Sequence, residues 1–315
     1  MSQKAILNWE LQSLRDFGKV PVMLQHNLHH DELFSDTALE RLFENIERRD
    51  YYVNTMNIAS QDPRSRREGE IRDLSGAQVL EAVKNGQIWI LLLRPHQAEP
   101  RYRQLLKNIY DEIAAKQRGF HSSFEKITVL ISSPRIQVYY HCDIPGQTLW
   151  QVRGNKTVYV YPAEAPFLDR PTLENIALGK AHEISLPYNA SFDDHAMVFD
   201  LQPGQMLHWP LNAPHRISNG DSMNVSFTTE HFTPAIRRMY HVNCANGILR
   251  SSLGINNPNQ QLGGAVYWGK FFLSNAYRAL RKSRMGTRRH LAVDFCVDPS
   301  SPRCVRDIPI YRIQE

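Results

Sequence analysis

On a β-strand, side chains two residues apart point to the same face. His141-Cys142-Asp143, at the end of the strand-like run Ile136 to His141, could therefore offer an imidazole and a carboxylate to one metal ion. Spacing alone is a weak signal. With 13 histidines and 32 acids in 315 residues, about 1.3 such pairs arise by chance under the same-face rule. His29 with Asp31 and His30 with Glu32 fit it equally, but they precede a helix in polar sequence and read as solvated charges. A third ligand has to come from elsewhere, and the best source is the segment Gly204 to His215. There a strand, a proline turn and a second strand could bring His215 to the interior of a small barrel or sandwich. Two histidines and one carboxylate on three corners leave coordination positions open, as in the facial triad of non-haem Fe(II) oxygenases. His208 is the competing ligand, although alternation from Met206 gives it a packing role instead.

Lys156 opens the run Lys156 to Tyr161 and shares a face with Val158 and Val160. If that face is inward, an ammonium sits at the edge of an apolar interior, at a cost of several kcal/mol unless an anion meets it. A surface lysine is the plain alternative. Tyr139, Tyr140, Trp150 and Trp209 could line the same interior or serve as core.

The elements that must position these residues fall into three stretches. In 1–121, helices and strands alternate. Val20 to Leu24 reads as a strand, and Thr37 with Glu40 as a capping box ahead of Leu39, Leu42, Phe43 and Ile46. A second helix runs from Ser75, with Gln78 completing its box, to a stop at Gly86, and a strand follows at Ile88 to Leu93. A third helix spans Pro100 to Gln117, while Gln61 to Gly69 reads as polar loop. In 122–232 the apolar period changes from 3.6 to 2. Eight or nine short runs rich in Val, Ile, Tyr and Thr recur between turns such as Pro145-Gly146, Arg153-Gly154-Asn155 and Pro203-Gly204, with His182 to Leu186 among them. That count means a sandwich, jelly roll or barrel. In 233–315 the chain reads as helix and loop, with a helix at Tyr267 to Arg284. The three stretches are expected to pack as one compact domain.

Composition agrees with a folded chain. Hydrophobic residues make up 42% and charged residues 22%, with mean hydropathy −0.45, which leaves no case for wholesale disorder. The longest apolar run, Ile88 to Leu93, is far short of the roughly 18 residues a membrane span needs. The first ten residues carry no apolar core or cleavage site of a secretory leader, so a cytoplasmic location and no membrane association are expected. Cys142, Cys244, Cys296 and Cys304 show no C-x-x-C spacing and read as reduced thiols. Much of the net charge of +5 is local, since Ala276 to His290 holds Arg278, Arg281, Lys282, Arg284, Arg288 and Arg289 with no acid.

Taken together, His141-x-Asp143, Gln151-Val152-Arg153-Gly154-Asn155-Lys156 followed by Pro162, Pro203-Gly204, and Pro210 ahead of His215 resemble the cupin-fold JmjC-type 2-oxoglutarate oxygenases. The closest pattern is that of the asparaginyl hydroxylase acting on hypoxia-inducible factor, and the likeness covers about Ile127 to Thr229. The resemblance implies a mostly β fold, a double-stranded β-helix (cupin or jelly-roll) core with flanking helices. It implies His141, Asp143 and His215 as ligands of Fe(II), which are also the catalytic centre. It implies Lys156 as partner of the distal carboxylate of 2-oxoglutarate, and Ser226 as a polar contact to that cosubstrate. The implied reaction consumes O₂ and 2-oxoglutarate, releases succinate and CO₂, and hydroxylates a substrate. Two positions depart from the pattern: Val138 stands where the hydroxylase has a hydroxyl residue, and Gln205 replaces a common Asp after Pro-Gly.

Two rival readings follow from the same residues. A cupin using another divalent metal without 2-oxoglutarate would have no use for Lys156. A non-catalytic cupin could bind nucleic acid or an acidic partner through Arg278 to Arg289, but a full ligand set argues against that, and a solvated helix face explains the cations. Nucleic acid is thus possible but not favoured. The expected substrate is a protein side chain, a small molecule or RNA, selected by loops such as Glu164 to Leu186. Tyr267, Phe271, Phe272 and Leu280 interleave with the cations, and relatives pair through C-terminal helices, so a homodimer is expected.

Overall fold

Short strands separated by glycine turns close into two facing sheets. The computed structural model describes residues 5–284 and 290–314. Its first part holds helix Leu11–Asp16 (α1), strand Val22–Gln25 (β1), helix Asp36–Asn45 (α2), strands Tyr51–Thr55 (β2) and Arg67–Glu70 (β3), helix Gly76–Asn85 (α3), strand Trp89–Leu92 (β4), and helices Pro95–Ala98 (α4) and Arg101–Lys116 (α5). Eight strands then follow almost without interruption: Ser123–Ser132 (β5), Gln137–His141 (β6), Gly146–Arg153 (β7), Lys156–Val160 (β8), Met197–Leu201 (β9), Gln205–His208 (β10), His215–Asn219 (β11) and Asn224–Phe232 (β12). Helix Arg170–Ala177 (α6) lies in the insertion between β8 and β9. Helices Pro234–Leu253 (α7) and Gly264–Arg284 (α8) and strands His290–Val297 (β13) and Val305–Gln314 (β14) complete the chain.

The minor sheet has the order β6-β11-β8-β9. Facing it, β10-β7-β12-β5 form the centre of a ten-stranded major sheet, which β1 extends on one side and β4-β2-β3-β13-β14 on the other. Four strands opposite four, each pair antiparallel, make a double-stranded β-helix of the cupin or jelly-roll type. The side-chain period of two gives each sheet an inner and an outer face. Leu149, Val158, Val160, Leu207, Trp209 and Ile217 fill the space between the sheets. On the outer face of the major sheet, Trp150, Met206 and Phe227 pack against Leu39, Val79, Tyr102 and Ile109 from α2, α3 and α5. Each such buried side chain contributes about 1.5–3 kcal/mol.

Two glycines serve the turns that set this register. Gly154 (φ +70°) closes β7 onto β8, where a Cβ would lie 2.6 Å from the Met223 carbonyl oxygen. Gly204 (φ +85°) precedes β10, and a Cβ there would meet the His29 ring at 2.8 Å.

Several expectations need correction. Helix α2 is capped by Ser35, whose Oγ accepts from Ala38 N at 3.2 Å, so the Thr37 and Glu40 box does not form. Both residues suit the role, and the extended backbone of Ser35 decides between them. The Ser75 and Gln78 box does form. Part of Gln61 to Gly69 is strand β3, which lacks an apolar pattern and is held by pairing with β2 and β13. His182 to Leu186 is not a strand but carries a 3₁₀ turn at Glu183–Ser185, where His182 Nδ1 accepts from Ile184 N. Beyond α8 the chain forms the β13–β14 hairpin, not helix and loop. Of the basic stretch, 285–289, including Arg288 and Arg289, lies outside the described residues.

Candidate metal centre

His141 ends β6, and His215 opens β11 directly opposite it in the antiparallel register. Their ring centroids lie 4.0 Å apart. Each imidazole is fixed through Nδ1: that of His141 donates to the Tyr139 carbonyl at 2.7 Å, and that of His215 to the Ala213 carbonyl at 3.0 Å. A carbonyl can only accept, so both rings carry the proton on Nδ1 and turn a bare Nε2 lone pair inward. This is how metal-binding histidines are oriented.

Asp143 lies past the end of β6, so the connection to β7, not the strand pleat, brings it to the histidines. Its carbonyl accepts from Asn212 Nδ2 at 2.6 Å, and Asn212 itself adopts φ +60°, a left-handed conformation that asparagine tolerates. One carboxylate oxygen stands 3.4 Å from His215 Nε2 and the other 4.0 Å from His141 Nε2. All three donor groups lie within 4.8 Å of one another. Nitrogen and oxygen ligands about 2.1 Å from one ion and at right angles stand about 3 Å apart, so small side-chain adjustments would suffice to close on a metal.

The electrostatics suit a cation. Burial holds His141 down to about 4 and His215 well below the usual histidine range, so both rings are neutral, as metal ligands must be. Burial, with Glu183 and Glu230 nearby, pushes the Asp143 carboxyl well above the usual carboxylate range. A divalent ion would reverse that shift by supplying the missing positive charge. The donor set therefore fits a first-row divalent metal.

Lys156 faces inward from β8, with only 5% of its surface exposed. Its Nζ donates to Ser226 Oγ, 2.9 Å away on β12. Both are buried, and burial alone draws the amine down to about 7. Asn219, opposite Lys156 in the register, donates to Ser132 Oγ at 2.7 Å and helps to close that end of the barrel. Val138 packs among Ile217 and its apolar neighbours in the barrel. The Gln205 side chain accepts from Gln202 N at 2.8 Å and closes the turn before β10.

The remaining candidates lie elsewhere. His208 points to the outer face of the major sheet, where its Nδ1 donates to the Gln147 carbonyl at 2.8 Å and its ring stacks on Phe17 at 3.9 Å. His29 and His30 pack against each other at a tilt, ring centroids 3.8 Å apart, near the β10 turn and apart from the triad. Of the four aromatic candidates, Trp209 sets its ring 4.5 Å from that of His215, and Tyr139 meets His141 through its carbonyl. Tyr139, Tyr140 and Trp150 belong to core clusters. Sequence reasoning missed Gln147: with its amide nitrogen turned to the carboxylate, it donates to Asp143 Oδ1 at 3.0 Å. It also missed Asn212 and Glu183. Only the sequence neighbourhood of Gly146 and Pro210 hinted at the first two.

A double-stranded β-helix with a His-Asp-His cluster at one mouth and a buried lysine toward the other is a cupin-type architecture with a candidate metal centre. Among solved structures, the chain superposes on YcfD of E. coli with a TM-score of 0.51 at 17% identity, covering 90% of this chain and 70% of that one. Two further structures of that protein, one described as a ribosomal oxygenase and one in complex with cobalt and 2-oxoglutarate, align at TM-scores of 0.49 and 0.48 and 16% identity. They cover 90% and 89% of this chain, and 69% and 68% of theirs. No protein-family model and no curated protein matches the sequence. The likeness establishes the fold. No helix among the described residues is long and apolar enough to cross a membrane.

Proposed function

We propose that this chain is an Fe(II)- and 2-oxoglutarate-dependent oxygenase that hydroxylates its substrate with release of succinate and CO₂. His141, Asp143 and His215 would hold the iron, which when bound supplies the O₂-activating chemistry. Lys156 and Ser226 would hold the far carboxylate of 2-oxoglutarate.

The spacing between triad and lysine carries this reading. His215 is level with Val160 and Asn219 with Lys156 along the same ladder. Four residues at about 3.3 Å each put roughly 13 Å between those levels. An extended lysine side chain and a five-carbon diacid, each about 6–7 Å long, could together bridge that interval. The walls between are apolar, and among the described residues no anion meets the ammonium. A cosubstrate carboxylate would supply one, and Lys156 would orient it while the barrel excludes water.

By its likeness to the E. coli ribosomal oxygenase, the proposed substrate is a ribosomal component, met in the cytoplasm. The four free, buried cysteines suit that compartment. We also propose a homodimer formed through α8, whose Trp268, Phe272 and Leu280 are 52%, 66% and 57% exposed. Light scattering should give twice the chain mass, and a chain ending before Tyr267 should be monomeric or unfolded. An unchanged dimer refutes that surface.

Anaerobic titration of Fe(II) and then 2-oxoglutarate tests the central reading. A visible charge-transfer band should appear only with both present. Once O₂ is admitted, succinate release should rise on adding ribosomes. Absence of the band, with Fe(II) bound, would favour a cupin that does not use 2-oxoglutarate.

A further inference from the structure

The outer face of the major sheet, behind the proposed metal centre, carries a second cavity of about 320 Å³. Phe17, Phe120, Trp209 and Ile236 contribute apolar walls, and His208 and His231 bring polar atoms to it. Among the described lining residues none is an acid, a lysine or an arginine. Both histidines are nearly fully buried, at 3% and 4% exposure.

The protein uses one nitrogen of each ring and leaves the other. His208 Nδ1 lies 2.8 Å from the Gln147 carbonyl and 3.0 Å from the Thr148 hydroxyl; the carbonyl can only accept, so Nδ1 donates to it and Nε2 is a bare acceptor. That Nε2 points toward Gly18, where even an added Cβ would remain 3.9 Å away. His231 ends a relay. Trp150 Nε1 can only donate, and does so to Thr229 Oγ1 at 3.0 Å. Thr229 bonds to the Tyr110 hydroxyl, which in turn meets His231 Nδ1 at 3.3 Å. A relay running in that direction leaves the His231 proton on Nε2, which faces the space beside Gly146. Burial keeps both rings neutral, drawing His208 to about 3 and His231 to about 4.

The two rings thus offer the cavity one acceptor and one donor, beside the Thr233 hydroxyl that accepts from Ile236 N at 3.2 Å, with no charge. Its volume equals about ten water molecules at about 30 Å³ each. A phosphate, carboxylate or ammonium would lose its hydration there with no counter-charge. A purely apolar molecule would leave both nitrogens unpaired. We propose that the cavity binds a small, neutral, planar ligand of the carboxamide or lactam class, its N–H on His208 and its carbonyl oxygen on His231, with its ring against Phe17 and Phe120.

Nicotinamide is a suitable probe, and nicotinate, the same ring with a carboxylate, is the control. Full-length protein with ¹⁵N-labelled histidine is titrated while ring-nitrogen shifts are followed in long-range ¹H–¹⁵N spectra. Nicotinamide should move His208 Nε2 and His231 Nε2 saturably at millimolar concentration, and nicotinate should not. His208→Phe should weaken binding at least tenfold, the equivalent of about 1.4 kcal/mol. Ala235→Trp, an exposed rim position, should abolish it without touching the sheet. Binding should survive in Asp143→Ala, which separates this site from the metal centre. The proposal is overturned if neither nitrogen responds and water alone fills the cavity, if nicotinate binds as well, or if the response persists in Ala235→Trp.

Discussion

Replacing Lys156 by Met should make the protein more stable and a poorer binder of 2-oxoglutarate. Burial lowers this amine from its ordinary 10.5 to about 7. A base with a depressed folded pKa binds fewer protons folded than unfolded between those two values. Stability of the cosubstrate-free protein should therefore fall as pH drops from about 10.5 to about 7, and level off below. At about 1.4 kcal/mol per unit the full span is at most about 5 kcal/mol. Lys156→Met keeps the volume and deletes the charge, so at pH 7 it should gain about 2–5 kcal/mol and flatten the profile above pH 7. Losing a charge-assisted hydrogen bond costs about 1.5–3 kcal/mol, so 2-oxoglutarate should bind the Mn(II)-loaded variant roughly ten- to a hundredfold more weakly. In the wild type, binding should draw a proton onto the amine, and affinity should fall by about tenfold per pH unit above about 7. Urea unfolding across pH and calorimetry in two buffers of different ionisation enthalpy measure both sides. A variant with wild-type affinity and a wild-type pH profile would refute the reasoning.

Asp143→Ala should abolish Fe(II) binding, read by calorimetry, without lowering the melting temperature, since it also removes a buried carboxyl with a raised pKa; His215→Ala should do the same with His208 intact. Arg216 bonds to the Tyr161 hydroxyl and makes two bonds to Asp193, so Arg216→Ala should cost about 2–4 kcal/mol in urea unfolding and expose the β8–β9 insertion to proteolysis. A Cβ at Gly69 would run into the Phe295 ring, and Gly69→Val should lift the C-terminal hairpin, seen as faster amide exchange across Val293 to Val297.

The barrel was legible because its strands carry their own signal. Lys156-Thr157-Val158-Tyr159-Val160 alternates buried and half-buried, as the letters suggest. Alternation alone could not say which face of that strand was inward, since the opposing sheet decides it. The pair His141 and Asp143 was visible by spacing, but its convergence depends on Asn212, a residue with no two-residue signature. Strand β3 was invisible: Arg67-Glu68-Gly69-Glu70 has no apolar period and is extended by what pairs with it. The β13 alternation of Val293, Phe295 and Val297 was present in the sequence, yet without its distant partner it read as loop.

The parallel pairing of β13 with β3 has a consequence for how the protein is made. Val293 lies beside Glu68, and Phe295 covers Gly69. The strand that covers the edge of β3 thus leaves the ribosome about 220 residues after it. Until then, a chain carrying a complete barrel still presents an open strand edge at β3, available for pairing with another chain. Contacts that span so much sequence also form slowly. A growing or C-terminally clipped chain should therefore be the aggregation-prone species, and the charges of Arg67, Glu68 and Glu70 along that edge discourage mispairing while it waits.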